Sequence, residues 1–191
     1  RIATPMLRRS FTLLLVALAA LAVGACGNKE SRTLHADTEG EYVDVGPMKY
    51  QVQISRLLNP NDPEDRGYLI DLPSGESLGA DDEWFAVFMR VENGSEDAGP
   101  VADNYEIVDT QENRYTPIQM GPKNVFAYRA GTLGAHQVLP FSSSPAGQNS
   151  IQGAMLLFKI PVANFANRPL ELRINPPAGE GSEVGTVDLD V

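Results

Sequence analysis

Apolar and polar residues alternate along most of the chain. Tyr50, Val52 and Ile54 are separated by Gln51, Gln53 and Ser55. A period of two marks a strand with one buried and one solvated face, so all three apolar residues are expected to point inward. The same alternation predicts strands at Leu170, Leu172 and Ile174 and at Val187, Leu189 and Val191. Residues 84–91 (WFAVFMRV) and 154–160 (AMLLFKI) are apolar at consecutive positions. Such runs need cover on both faces and are predicted as central strands. Turn chemistry stops the first at Glu92-Asn93-Gly94-Ser95, and Pro161 stops the second. Residues 105–108 and 114–116 flank Asp109-Thr110-Gln111-Glu112-Asn113 and are predicted as a hairpin. Only residues 162–167 have the character of a short helical turn. About seven short strands parted by Gly/Pro-rich turns predict an all-β antiparallel sandwich over residues 42–191.

Three stretches break this rhythm. Residues 27–41 (GNKESRTLHADTEGE) are polar and too poor in aliphatics to offset the entropy of ordering. They are expected to form a flexible tether with His35 inert inside it. Residues 58–68 (LNPNDPEDRGY) carry two prolines among acids and amides. Residues 119–150 are rich in Gly, Pro and Ser, yet hold Phe126, Tyr128, Leu133, Val138, Leu139 and Phe141. A structureless loop of that length is unusual in a compact domain. Either its aromatics cap an open end of the sandwich, or it is a recognition loop on a rigid scaffold with Phe126, Tyr128 and Phe141 as partner contacts.

The N-terminus gives an address. Arg8 and Arg9 precede an uncharged run at 11–23, which ends in Val23-Gly24-Ala25-Cys26. A basic region, a short apolar region and small residues before a cut site define a secretory signal. The apolar run is shorter than the roughly 20 residues that span a bilayer. Val-Gly-Ala-Cys resembles the bacterial lipobox, so residues 1–25 are expected to be a lipoprotein-type signal peptide, with Cys26 the lipidated first residue of the mature chain. Met6 is expected to start that leader, because Arg1 to Pro5 fit no part of one. Cys26 is the one cysteine in the sequence. Lipidation accounts for an odd cysteine in an exported protein and leaves no thiol for a disulfide or a metal. Two or more acyl chains anchor stably where one does not. The expected location is the outer face of the cytoplasmic membrane.

The strand patterns also carry a resemblance. Residues 84–93 form an apolar strand ending in Val91-Glu92-Asn93; Tyr105-Glu106-Ile107-Val108-Asp109 leads through a turn to Tyr115; and residues 153–161 (GAMLLFKIP) follow later. These resemble the Ig-like domain of unknown function found on lipoproteins of Gram-positive, notably actinobacterial, organisms, a family related to the mycobacterial secreted immunoprotective antigen fold. The resemblance covers residues 48–191. It implies an extracytoplasmic Ig-like β-sandwich with no established activity, and it brings no catalytic residue. Residues 58–68 and the stretch after Gln119 depart from the family pattern, so a function specific to this chain is expected there.

Charge and chemistry narrow the picture further. Beyond Cys26 there are 191 − 26 = 165 residues with 15 − 3 = 12 basic and 25 acidic side chains, a net −13. That balance opposes nucleic acid and an anionic membrane surface. A nucleophilic hydrolase needs a base beside its Ser, Thr or Cys. The sandwich region holds only His136 and no G-x-S-x-G elbow, and Ser142-Ser143-Ser144 reads as a solvated loop. Asp81-Asp82-Glu83 before Trp84 reads as a solvated turn rather than a glycosidase acid pair. Asn59, Asn61, Asp62, Glu64 and Asp65 gather hard oxygens of the kind calcium takes, without EF-hand spacing. Met48, Met89, Met120, Met155 and His136 are ligands for copper, but no two are closely spaced. The expectation is a non-catalytic binding or accessory module of the cell envelope, without cofactor, serving an envelope protein partner. The alternatives are a calcium- or copper-handling protein or an envelope hydrolase.

Overall fold

The computed structural model describes residues 32–191; the expected signal peptide, Cys26 and the start of the expected tether lie outside the described residues. The strands are β1 (His35–Ala36), β2 (Tyr42–Val45), β3 (Met48–Leu58), β4 (Asp82–Glu92), β5 (Gly99–Pro100), β6 (Asn104–Val108), β7 (Arg114–Tyr115), β8 (Thr132–Leu133), β9 (Val138–Leu139), β10 (Ala154–Pro161), β11 (Leu170–Asn175) and β12 (Gly185–Leu189). One sheet runs β1-β12-β11-β6-β7 and the other β10-β4-β3-β2, with β9 continuing along β4. β5 and β8 form a small separate ribbon. The result is an all-β sandwich. All strand pairs are antiparallel except β1 with β12, which is parallel.

Alternation explains the main core. Tyr50 and Val52 of β3 and Phe85, Val87, Met89 and Val91 of β4 meet Tyr105, Ile107, Leu172, Ile174 and Val187 of the facing sheet. The hairpin forms as predicted, with Ile107 opposite Tyr115. Its turn closes on Asp109, which is buried. Burial pushes its carboxyl pKa up. Donors oppose this: the Asn113 and Asn167 side chains, each at 2.9 Å, and the N–H groups of Asn113 and Gln111. These prevail and hold the carboxyl well below the usual carboxylate range. The predicted helical turn is the 3-10 segment Val162–Ala166, and it is joined by one-turn helices at Asp65–Tyr68 and Pro145–Gln148.

Two expectations are corrected. The tether ends earlier than Glu41, because residues from Arg32 belong to the fold. Ala36 is fully buried, Thr33 N–H donates to Asp44 at 2.8 Å, and Thr186 N–H donates to the Leu34 carbonyl at 2.8 Å. Backbone hydrogen bonds hold this polar segment where its side chains offer little apolar area. The alternation in β3 also fails midway. The register shifts between Val52 and Ile54, so Ile54 stands opposite Phe88 while Val52 stands opposite Met89. A bulge inserts one residue and reverses which positions face inward. Ser55 is therefore buried, and Ile54, expected inside, is exposed on the outer face.

Candidate binding face

The consecutive apolar residues of β4 and β10 serve two faces. Phe85, Val87 and Met89 enter the main core, whereas Trp84, Ala86 and Phe88 join Met155 and Leu157 of β10 and Leu58 of β3 in a second cluster. That cluster lies on the outer face of the β10-β4-β3 sheet. Uncovered, it would be a large apolar surface in water.

Two of the three stretches that break the sequence rhythm, 58–68 and 119–150, supply its cover, and they are fastened to each other. The one-turn helix brings Tyr68 edge-on to Phe88 at 5.0 Å and to Phe126 at 4.9 Å. Asn124 is buried and forms four bonds, two across the joint and two within its own turn. Its amide donates to the Tyr68 and Ile70 carbonyls at 2.7 and 2.8 Å, and its oxygen accepts from the N–H groups of Phe126 and Ala127 at 3.0 and 3.1 Å. Asp71 accepts from the Lys123 N–H at 2.8 Å, and Asn149 donates to the Tyr68 hydroxyl at 2.6 Å. Further along, Ile118 N–H donates to Leu157 O at 2.7 Å, and Met155 exchanges backbone bonds with Phe126 and Tyr128 at 2.7 and 2.8 Å. The first part of the long stretch thus runs as a ribbon along β10, while β8 and β9 further along it pair with β5 and β4.

This packing assigns the residues singled out from sequence. Phe126 and Tyr128 are packing residues. Phe126 lies half-buried against Tyr68; the Tyr128 ring stacks edge-on to Tyr105 at 5.2 Å, and its hydroxyl donates to the Ala102 carbonyl at 2.9 Å. Of the three partner candidates, Phe141 alone stays open, at 45% exposure. Of the hard oxygens in residues 59–65, those of Asn59, Asp62 and Asp65 turn into their own loop. Asn59 accepts from the Asn61 N–H at 2.9 Å, and Asp62 from the N–H groups of Glu64 and Asp65 at 2.8 and 3.2 Å. Asp65 is buried and accepts from the Asn59 N–H at 2.8 Å and from the Arg56 guanidinium. Glu64 starts the one-turn helix without capping it through its side chain. These residues close a turn and place Tyr68. Met120 and Met155 lie in the second cluster and Met48 and Met89 in the first, apart from His136. The His136 ring meets Glu96 at 3.1 Å, and Ser144 caps the Pro145–Gln148 turn by accepting from the Gly147 N–H at 3.1 Å.

An open strip remains beside this cover. Phe141 edges a groove of about 450 Å³ lined also by Arg90, His136, Val138, Pro140 and Gln152. Gln152 is shared with an adjoining depression of about 340 Å³ at Ile54 and Ile151. The Phe141 loop is fixed from behind. Ser144 Oγ donates to the Phe141 carbonyl at 2.6 Å, and a Cβ on Gly147 would collide with that carbonyl. Ile54, Arg90 and Gln152 were not legible as surface contacts. Ile54 reaches this face only through the bulge, and nothing in the period-two pattern announces one. The strip mixes exposed apolar side chains, Phe141 and Ile54, with the polar His136, Ser142, Ser143 and Gln152, and Arg90 on it pairs with Glu92 at 2.9 Å, a composition suited to a protein surface.

No family model matches the chain, and no curated protein matches it. Solved structures do. A candidate lipoprotein of Bacillus subtilis, ycdA, is 12% identical with a TM-score of 0.50, over 84% of this chain and 39% of that one. The yjhA protein of Bacillus subtilis is 14% identical with a TM-score of 0.53, over 81% of this chain and 99% of that one. An uncharacterized β-sandwich protein of Clostridium difficile is 9% identical with a TM-score of 0.43, over 85% and 99%. This chain spans well under half of the ycdA protein and most of the length of the other two. What it has in common with ycdA and yjhA is the fold.

Proposed function

We propose that this protein is a lipid-anchored, non-catalytic binding or accessory module of the cell envelope. It is held at the outer face of the cytoplasmic membrane through Cys26 and meets an envelope protein partner along the Phe141–Gln152–Ile54 strip. One observation carries the reading: two of the three stretches that depart from the strand rhythm, 58–68 and 119–150, meet over one sheet face, fasten to each other through Asn124 and the neighbouring Asp71, and leave Phe141 and Ile54 exposed at their margin. Rigid scaffolds presenting such margins are where binding surfaces concentrate. The lipobox-like sequence and the candidate-lipoprotein status of one fold neighbour both favour the anchor. No helix among the described residues is long and apolar enough to cross a membrane. The sequence resemblance to Ig-like domains of Gram-positive lipoproteins fits the same role.

Two variants test the two halves of this reading. Cys26→Ser should abolish labelling by a lipid precursor and release the protein from membranes. Persistent membrane association of that variant would refute the lipid anchor. A Phe141→Ser/Ile54→Ser double variant should lose the envelope protein that co-purifies with the tagged wild type while its melting temperature stays unchanged. Undiminished capture would exclude the strip.

A further inference from the structure

The opposite sheet carries a cluster unrelated to this face. β12 lies between β1 and β11. Glu171 stands directly across from Asp188, and His35 stands beside Thr186, two residues before Asp188 on the same side of β12. Val187 and Leu189 fill the core from the other side of the strand, so Thr186 and Asp188 face outward. One ligand atom from each of His35, Glu171 and Asp188 lies within 4.8 Å of the others. Like charges directly across a strand pair repel. Arg173 offsets Glu171 at 2.7 Å, but no donor side chain reaches Asp188 among the described residues; its charged neighbours are His35, Glu171, Asp37 and Asp190. Both His35 ring nitrogens have oxygen neighbours, Thr186 Oγ1 at 2.7 Å and Asp37 Oδ1 at 3.0 Å. Whichever nitrogen bonds a metal, the other keeps a partner that fixes the ring, as in metal-bound histidines generally.

We propose that His35, Glu171 and Asp188 form a binding site for a divalent first-row metal ion of the zinc class. An imidazole with two carboxylates is a borderline nitrogen and oxygen set, which suits zinc or manganese better than calcium and contains no soft ligand for copper(I). Three protein ligands leave a coordination position for water or for Asp37. The ion would relieve the Glu171–Asp188 repulsion and tie the two-residue strand β1 to β12 and β11. It would thereby stiffen the junction between the N-terminal segment and the sandwich. Because the three ligands come from three strands, the ion binds the folded state alone and stabilises it.

The test uses the mature lipoprotein in detergent micelles, with each variant's metal-free melting temperature measured first. Zinc chloride titrated into the wild type should bind at one equivalent and raise the melting temperature, and cobalt(II) should show visible absorption bands of a bound ion. His35→Gln and Asp188→Asn should each weaken zinc binding by more than about tenfold, a loss that even changes to groups orienting a ligand can produce. They should also abolish the thermal shift, with Asp81→Asn, an exposed acid elsewhere, behaving as wild type. Should either ligand variant fail to fold, Glu171→Gln takes its place. Absence of zinc binding in the wild type, or equal binding in all variants, overturns the site.

Discussion

The two faces of the β10-β4-β3 sheet solve the same problem by different means. On the inner face, Phe85, Val87 and Met89 pack against a second sheet, and strand meets strand with mostly apolar side chains whose backbone groups are already paired in the sheets. On the outer face, Trp84, Ala86 and Phe88 are covered by irregular chain, and irregular chain leaves backbone groups to satisfy. Asn124, Asp65 and Asp71 satisfy them. The inner core is therefore tolerant of polar change at its margins and intolerant of lost volume. The outer layer depends on a few buried polar side chains, and its margin is where exposed apolar residues remain.

Truncation inside the inner core should have the largest effect. Phe85→Ala removes a fully buried ring that also stacks edge-on to Phe165 at 5.6 Å, and it should cost about 4 kcal/mol in urea unfolding. Asp109→Ala comes next, at about 3 kcal/mol, because it orphans donors gathered in the hairpin turn. Its pH signature separates it from a volume effect. A carboxyl held low in the folded state contributes stability above its unfolded pKa of about 3.9, and that contribution disappears as pH falls from there toward the folded value. Wild-type stability should therefore drop more steeply between pH 5 and pH 2, values on the order of that window, than that of Asp109→Asn. Asn124→Ala should cost about 2 kcal/mol and act locally. Hydrogen exchange should quicken in residues 117–128 while Val87 and Ile107 keep their protection; uniform loss of protection would mean that the two faces form one cooperative unit. Phe141→Ser should change stability by less than about 0.5 kcal/mol, since an exposed side chain contributes little to the fold.

The sandwich was legible because its strands obey a simple period, and the doubly apolar runs of β4 and β10 announced that both their faces are covered. The identity of the second cover was less legible. Residues 58–68 and 119–150 stood out by composition, but Tyr68 meeting Phe126 is a contact between segments more than fifty positions apart, and no local pattern encodes it. Sequence left open whether Phe126 and Tyr128 cap the sandwich or contact a partner, because the ribbon that seats them uses backbone bonds to β10, which any sequence can make. β1 was hidden for the same reason: its parallel pairing with β12 needs only backbone groups and the small buried Ala36. Placing β1 in the fold is also what turns His35 from a solitary tether residue into a neighbour of Asp188.

The most direct test of the proposed binding face is site-specific photo-cross-linking in cells. A photoreactive phenylalanine would replace Phe141, Ile54 or, as a control on the opposite sheet's hairpin, the exposed Glu112. The expected result is one and the same envelope protein captured from positions 141 and 54 and nothing from position 112. Capture from position 112 alone, or no adduct at 141 and 54, would contradict the proposal that the margin of the outer layer is a partner-binding face.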